Sequence, residues 1–348
     1  MPTQNSITIV GGGLAGLALG AALARSRVAV TICEAGRLPR PRVCGEFISG
    51  LRTETVERLG LAPHLHSAAE NRTTGWHAGG RLRWAAALPA PAPGLSRMTL
   101  ETRLLEDFLN SKGKLRLNER VAETGDGPGQ IWTAGRRADA ASPWLGLKMH
   151  CQDLRLGHDL ELHLGRGGYA GAARIEDGRV NICGLFRIRP EVRGPRAELL
   201  PAYLTACGLE KFAERLTRGM PNPASAAAVS GLDFTRTWPE DARVSLGDHL
   251  AAIPPYTGHG MALALEHAAA ALAPLRQYAR GEKSWPETAQ SIRAAVRAQT
   301  SPRLRWARAL HPWLLQPARQ TLLLALADTR LLPFKLLYRV THDAPAAA

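Results

Sequence analysis

Residues 7–34 read ITIVGGGLAGLALGAALARSRVAVTICE. Ile7–Val10 is a β-branched apolar run and predicts a buried parallel strand. Gly11, Gly13 and Gly16 follow in G-x-G-x-x-G spacing, and residues 17–25 read as a helix. Residues 28–33 predict the next strand, with Glu34 at its end. Gly11 permits the tight turn, Gly13 lets backbone approach a pyrophosphate, and Gly16 lets helix and strand pack closely. The free N–H groups of the helix then face the phosphates, and the Glu34 carboxylate reaches ribose hydroxyls. Gly11, Gly13, Ala15, Gly16 and Glu34 are therefore assigned to dinucleotide binding. A 2′-phosphate would meet the Glu34 carboxylate, which argues against NADP here.

A second glycine-rich turn lies far along the chain. Residues 243–246 predict a strand and lead into Gly247-Asp248-His249; IPPYTGHGM at 253–261 precedes an Ala/Leu helix at about 262–272. Two anion-binding helix starts suit a ligand too long for one of them, and FAD has that length. Asp248, beside Gly247, is positioned to accept from a ribityl hydroxyl. The amides of Gly258, Gly260 and Met261 face the flavin edge where negative charge appears on reduction. His249 and His259 are candidate catalytic groups. No Ser-His-Asp arrangement supports hydrolysis.

Between the two motifs, residues 37–46 (RLPRPRVCGE) predict a loop beside the cofactor, with Arg42 as a cofactor contact. Cys44 there is either a proton donor or inert. Helices are expected at 51–59 and 97–109, and strands at 115–121 and 131–134 with a turn at 125–129. Residues 76–93 and 145–186 read as strands of a second lobe. LELHL at 160–164 alternates as a sheet with one wetted face would, and Asp177-Gly178 marks a hairpin. His150, His158 and His163 have no metal-ligand spacing, so no metal is assigned. Residues 286–338 read as helices that either cap a substrate pocket or rest on a membrane, and the tail 341–348 is expected to be disordered.

The chain has 348 residues and a formal charge of +14. The basic residues are densest toward the end, from Arg303 and Arg305 to Lys335 and Arg339. This is either a solvated basic face or a docking surface for an acidic or membrane partner. No nucleic-acid-binding signature is present. Five cysteines, an odd number without a C-x-x-C pair, point to a reducing compartment. With no signal peptide and no spanning segment evident, a cytoplasmic location is expected.

These motifs resemble the FAD-dependent oxidoreductases that include geranylgeranyl reductases, p-hydroxybenzoate-hydroxylase-like aromatic monooxygenases and flavin-dependent halogenases. GGGLAGLALG with Glu34 looks like that family's FAD fingerprint, and residues 247–268 like its second flavin motif. Residues 96–109 look like its FAD-contacting helix, with Arg97 in the arginine position. RVCGEFIS at 42–49 resembles the reductase-like branch, as do residues 167–186. Residues 133–137, TAGRR, lack the aspartate usual in the family, and the tryptophan-halogenase signature is absent.

The resemblance implies an α/β fold of the p-hydroxybenzoate hydroxylase and glutathione reductase kind. A Rossmann-like FAD-binding domain would be discontinuous over 1–70, 95–143 and 240–280. An inserted antiparallel-sheet substrate domain would take 71–94 and 144–239, with a C-terminal helical region at 281–340. The expected activity is hydroxylation of an aromatic or hydrophobic substrate through a flavin hydroperoxide. The alternatives are reduction of a geranylgeranyl-like lipid, hydroxylation of a tryptophan in a partner protein, and flavin binding without turnover. NAD(P)H binding transiently, or a separate reductase, would supply electrons. The protein would be a monomer or dimer.

Overall fold

The computed structural model describes residues 5–122, 127–235 and 243–342. The chain opens with β1 (Ile7–Val10), α1 (Leu14–Arg25), β2 (Val30–Glu34) and α2 (Thr53–Leu59). It leaves for a hairpin, β3 (Ala69–Ala78) and β4 (Arg81–Gly94), and returns through α3 (Arg97–Asn110), β5 (Lys114–Leu117) and β6 (Gln130–Trp132). It leaves again for β7 (Trp144–Cys151), β8 (Leu160–Gly165), β9 (Gly168–Arg174), β10 (Val180–Arg187), α4 (Arg196–Ala206), α5 (Glu210–Arg218) and β11 (Pro221–Ser230). It comes back at β12 (Val244–Ser245) and α6 (Gly260–Ala279), then closes with α7 (Trp285–Leu315), α8 (Pro317–Asp328) and α9 (Phe334–His342).

Two sheets result. The first is parallel, in the order β12-β6-β1-β2-β5. The second runs β11-β7-β10-β9-β8-β3-β4. It is mixed rather than purely antiparallel, because β3 pairs with β8 in parallel. Helix α1 is apolar all round and is buried against α3 and α6, as such a helix requires. It starts at Leu14, earlier than the sequence spacing suggested, because the extended backbone of Gly13 already supplies the N-cap. Gly16 thus lies inside the helix, where a β-carbon would stand 2.1 Å from the Gly11 carbonyl oxygen. Helix α6 runs past residue 272 to Ala279, since Leu275, Tyr278 and Ala279 continue its buried face.

Pro89, Pro91 and Pro93 lie in a 14-residue strand, β4, as the reading of residues 76–93 as strands expects, and the sheet tolerates them because β4 is its edge. Several other expectations are corrected. The alternation of β8 does not mark a wetted face: Glu161 and His163 are buried beneath α5, with Arg215 bonded to Glu161 and Phe212 stacked on His163. Helices α4 and α5 had no counterpart in the sequence reading. α4 is interrupted by Pro201, and α5 is only nine residues long. Arg303 is no part of a solvated basic face; it is fully buried and paired with Glu266. Thr341 and His342 are buried in the last turn of α9 rather than loose, and residues 343–348 lie outside those described. Of the turn expected at 125–129, residues 125 and 126 also lie outside them; Gly129 has φ +76°.

Candidate functional site

The first glycine motif forms the floor of a cleft at the N-terminus of α1. The Gly12 amide donates to Glu34 Oε2 at 2.8 Å, and the Gly36 amide to Oε1 at 3.1 Å, so the carboxylate is held at the end of β2. Thr133 Oγ1 donates to the Gly11 carbonyl at 2.6 Å and pins the turn to the end of β6. Arg97, at the first turn of α3, overhangs this floor. Its guanidinium lies 3.7 Å from where a Gly13 β-carbon would be. Arg97 Nε donates to Glu101 Oε1 at 2.8 Å, and Arg42 Nε stands 3.7 Å from Glu101 Oε2. One buried carboxylate therefore orients two cations over a helix N-terminus, an arrangement suited to a pyrophosphate.

The second motif meets the first directly. A β-carbon at Gly247 would lie 3.4 Å from Ala15 Cβ. Asp248 is exposed. Burial by surrounding protein raises its pKa, and the charges of Arg97, Arg136 and Arg42 oppose that rise. His267 holds the turn from behind: the Gly247 amide donates to its Nδ1 at 2.9 Å, and its Nε2 lies 2.7 Å from Thr300 Oγ1. Gly258 adopts φ +64° with the Phe47 ring against it, where any side chain would collide. Gly260 opens α6, and Met261 is buried in its first turn.

The two candidate catalytic histidines occupy bracing positions. His249 stacks on Trp132 with centroids 5.7 Å apart, and its Nδ1 donates to the Gly135 carbonyl at 3.2 Å. His259 is fully buried, and its Nδ1 donates to the Ser49 carbonyl at 2.8 Å. Burial, then the charges of His342 and Arg303, push its pKa well below the ordinary value, so it is neutral.

Cys44 rides on a loop clamped by the second sheet. Asn181 Nδ2 donates to the Cys44 and Gly45 carbonyls at 2.9 and 2.8 Å. Glu46, with φ +56°, accepts from Lys148 Nζ at 2.9 Å, His150 Nε2 at 2.5 Å and the Arg97 amide at 3.2 Å. Burial alone would raise the Glu46 pKa, but the His150 hydrogen bond and the Lys148 charge hold it below the usual carboxylate value. Burial raises the Cys44 thiol, so it stays protonated at neutral pH and can donate a proton.

Beyond this loop lies a cavity of about 290 Å³. Its floor is the second sheet, through Trp76, Leu162 and Tyr169; its roof is α7–α9, through Trp313, Leu323 and Leu337. The lining is overwhelmingly apolar. Polar groups gather at one end, where Ser49 Oγ lies 3.0 Å from both the Tyr338 hydroxyl and His342 Nε2. The loops at 45–49 and 255–257 form the wall nearest the two glycine motifs.

The sequence reading missed Glu101, Lys148, His150, His267, Tyr338 and His342. Only Glu101, four residues after Arg97 on a helix, carried a local signal. On the opposite face of the second sheet, His77, Glu161 and His163 present ligand atoms within 4.8 Å of one another. Arg215 donates to Glu161 at 2.9 Å, so that carboxylate is already neutralised by a guanidinium.

A family of NAD(P)-binding Rossmann-like domains matches residues 9–73. A menaquinone reductase of Mycolicibacterium smegmatis is 27% identical over 136 residues, 38% of this chain and 33% of that protein. The chain thus spans about a third of the length of that curated relative. Among solved structures, PqsL of Pseudomonas aeruginosa, in complex with 2-aminobenzoylacetate, superposes with a TM-score of 0.70 at 17% identity, over 90% of this chain and 97% of that one. p-Nitrophenol 4-monooxygenase PnpA of Pseudomonas putida superposes with a TM-score of 0.69 at 16% identity, over 98% and 97%.

Proposed function

We propose that this chain, which has the fold of the p-hydroxybenzoate-hydroxylase- and glutathione-reductase-like flavin-dependent oxidoreductases, binds FAD and hydroxylates an apolar or aromatic substrate. The apolar cavity abutting the two loops that border the cleft carries this reading. Gly11, Gly13, Ala15 and Gly16 would receive the pyrophosphate with Arg97 and Arg42 above it. Glu34 would take the adenosine ribose and Asp248 the ribityl chain. The amides at Gly258, Gly260 and Met261 would face the flavin. FAD, when bound, supplies the redox and oxygen chemistry. The protein's part is to place the substrate beside it and keep water out, which an apolar cavity does.

Arg97→Ala is expected to weaken FAD binding by roughly 10- to 100-fold, the worth of a charge-assisted hydrogen bond to phosphate. Flavin fluorescence titration of the apoprotein measures this. An unchanged dissociation constant would place the pyrophosphate elsewhere.

Reduction of an unsaturated lipid is the second reading, favoured by the menaquinone reductase relative. Cys44, a half-buried thiol on the clamped loop whose pKa is raised, would then be the proton donor. Stopped-flow mixing of the photoreduced protein with oxygen separates the two. Hydroxylation predicts reoxidation in two phases, because a dry site protects the first oxygen-containing species. A single phase returning directly to oxidised flavin favours reduction.

A further inference from the structure

We propose that α8, α9 and their connecting turn form a docking surface for an anionic lipid bilayer, which lets a lipid-like substrate reach the cavity through one helical layer. The two sides of this layer differ in kind. Inward, Leu323, Leu326, Leu332 and Leu337 line the cavity roof. Outward, Leu331 is 70%, Leu336 54% and Leu322 52% exposed. On α8, Ala318, Leu322 and Ala325 fall at helical spacing with Thr329 just past the helix end; all are exposed, and none is charged. Large apolar side chains this open, close together in the chain, are unlike the scattered single leucines of ordinary surfaces.

Charge selects the partner. Exposed Arg319, Arg330, Lys335 and Arg339 accompany these leucines. Between residues 319 and 342 the single acidic residue is Asp328, which is bonded to Arg83. Apolar side chains ringed by cations match the acyl boundary and anionic headgroups of a bilayer. No helix among the described residues is long and apolar enough to cross a membrane, so the contact is peripheral.

The inference extends the reading of the cavity as a lipid-like site, but its test needs no turnover, so the two can fail separately. The FAD-loaded, oxidised full chain is floated with phosphatidylglycerol-rich or phosphatidylcholine vesicles. Flotation with the anionic vesicles is expected. Lys335→Gln with Arg339→Gln should weaken partitioning about thirtyfold, roughly fivefold for each charge near the surface. Leu331→Ser with Leu336→Ser should remove the binding that survives high salt. All four side chains are exposed, so melting temperature and flavin spectrum should not change. Absence of flotation with anionic vesicles overturns the proposal, as does flotation that both double variants leave intact.

Discussion

Glu46→Ala is expected to lower folding stability by about 3–5 kcal/mol, the usual consequence of stripping one partner from a buried ion pair. Glu46 is 1% and Lys148 3% exposed, so the ammonium left behind is out of reach of bulk solvent. The variant leaves a buried ammonium facing His150, and it frees the Arg97 amide as well. It also unfastens the segment that separates the cleft from the cavity. Denaturant unfolding followed by circular dichroism measures the loss. Glu46→Gln should be milder, because the amide oxygen still accepts. Glu46→Leu combined with Lys148→Met should recover most of the stability, since no charge is left stranded. A loss under about 0.5 kcal/mol for Glu46→Ala, typical of a surface site, would show that the clamp carries no weight.

Acid should unfold the protein well before its carboxylates titrate. Burial depresses His311 to about 4, and burial with the Arg303 charge depresses His267 to about 3. In the unfolded chain both return to about 6.5. Below that value the unfolded state binds protons that the native state refuses, so stability is complete above pH 6.5 and falls as the pH drops toward the folded values. Each histidine contributes a slope of about 1.4 kcal/mol per pH unit, and the pair roughly twice that. His267 shows the cause in its contacts: its Nδ1 accepts from the Gly247 amide, and a proton there would set two donors against each other. Urea midpoints between pH 7 and 4.5 measure the slope. His267→Gln should reduce it by about one proton's worth; a flat profile from pH 6.5 to 5 would falsify the assignment. Because Gly247 precedes Asp248, affinity for the proposed FAD should fall over the same pH range.

The first βαβ unit, β1-α1-β2, was legible because its signals are local. Gly11, Gly13, Gly16 and Glu34 lie within one βαβ unit, and Gly247 with Asp248 sit immediately before another helix. Helix α3 was legible from its own apolar pattern, whereas Arg97 was singled out through a resemblance. The clamp on the Cys44 loop was not, because Lys148 and His150 reach Glu46 across more than a hundred residues, through a sheet whose register no short window encodes. The contacts of His249 and His259 were not legible for a related reason. Proximity to a motif says nothing about rotamer, and both rings turned to backbone carbonyls. The cavity depends on both lobes and on α7–α9 at once, so no single segment announces it.

The order in which the chain visits its two sheets has a consequence for synthesis. β12 completes the first sheet beside β6, and α6 covers α1, yet both follow the whole of the second sheet. A nascent chain lacking residues 244–279 therefore exposes the apolar flank of α1 and an unpaired strand edge. Such a species is prone to aggregate, and its remedy arrives only once residues 244–279 have been made. Truncation anywhere before Ala279 should leave little soluble protein to purify, whereas the second sheet has all its strands by Ser230.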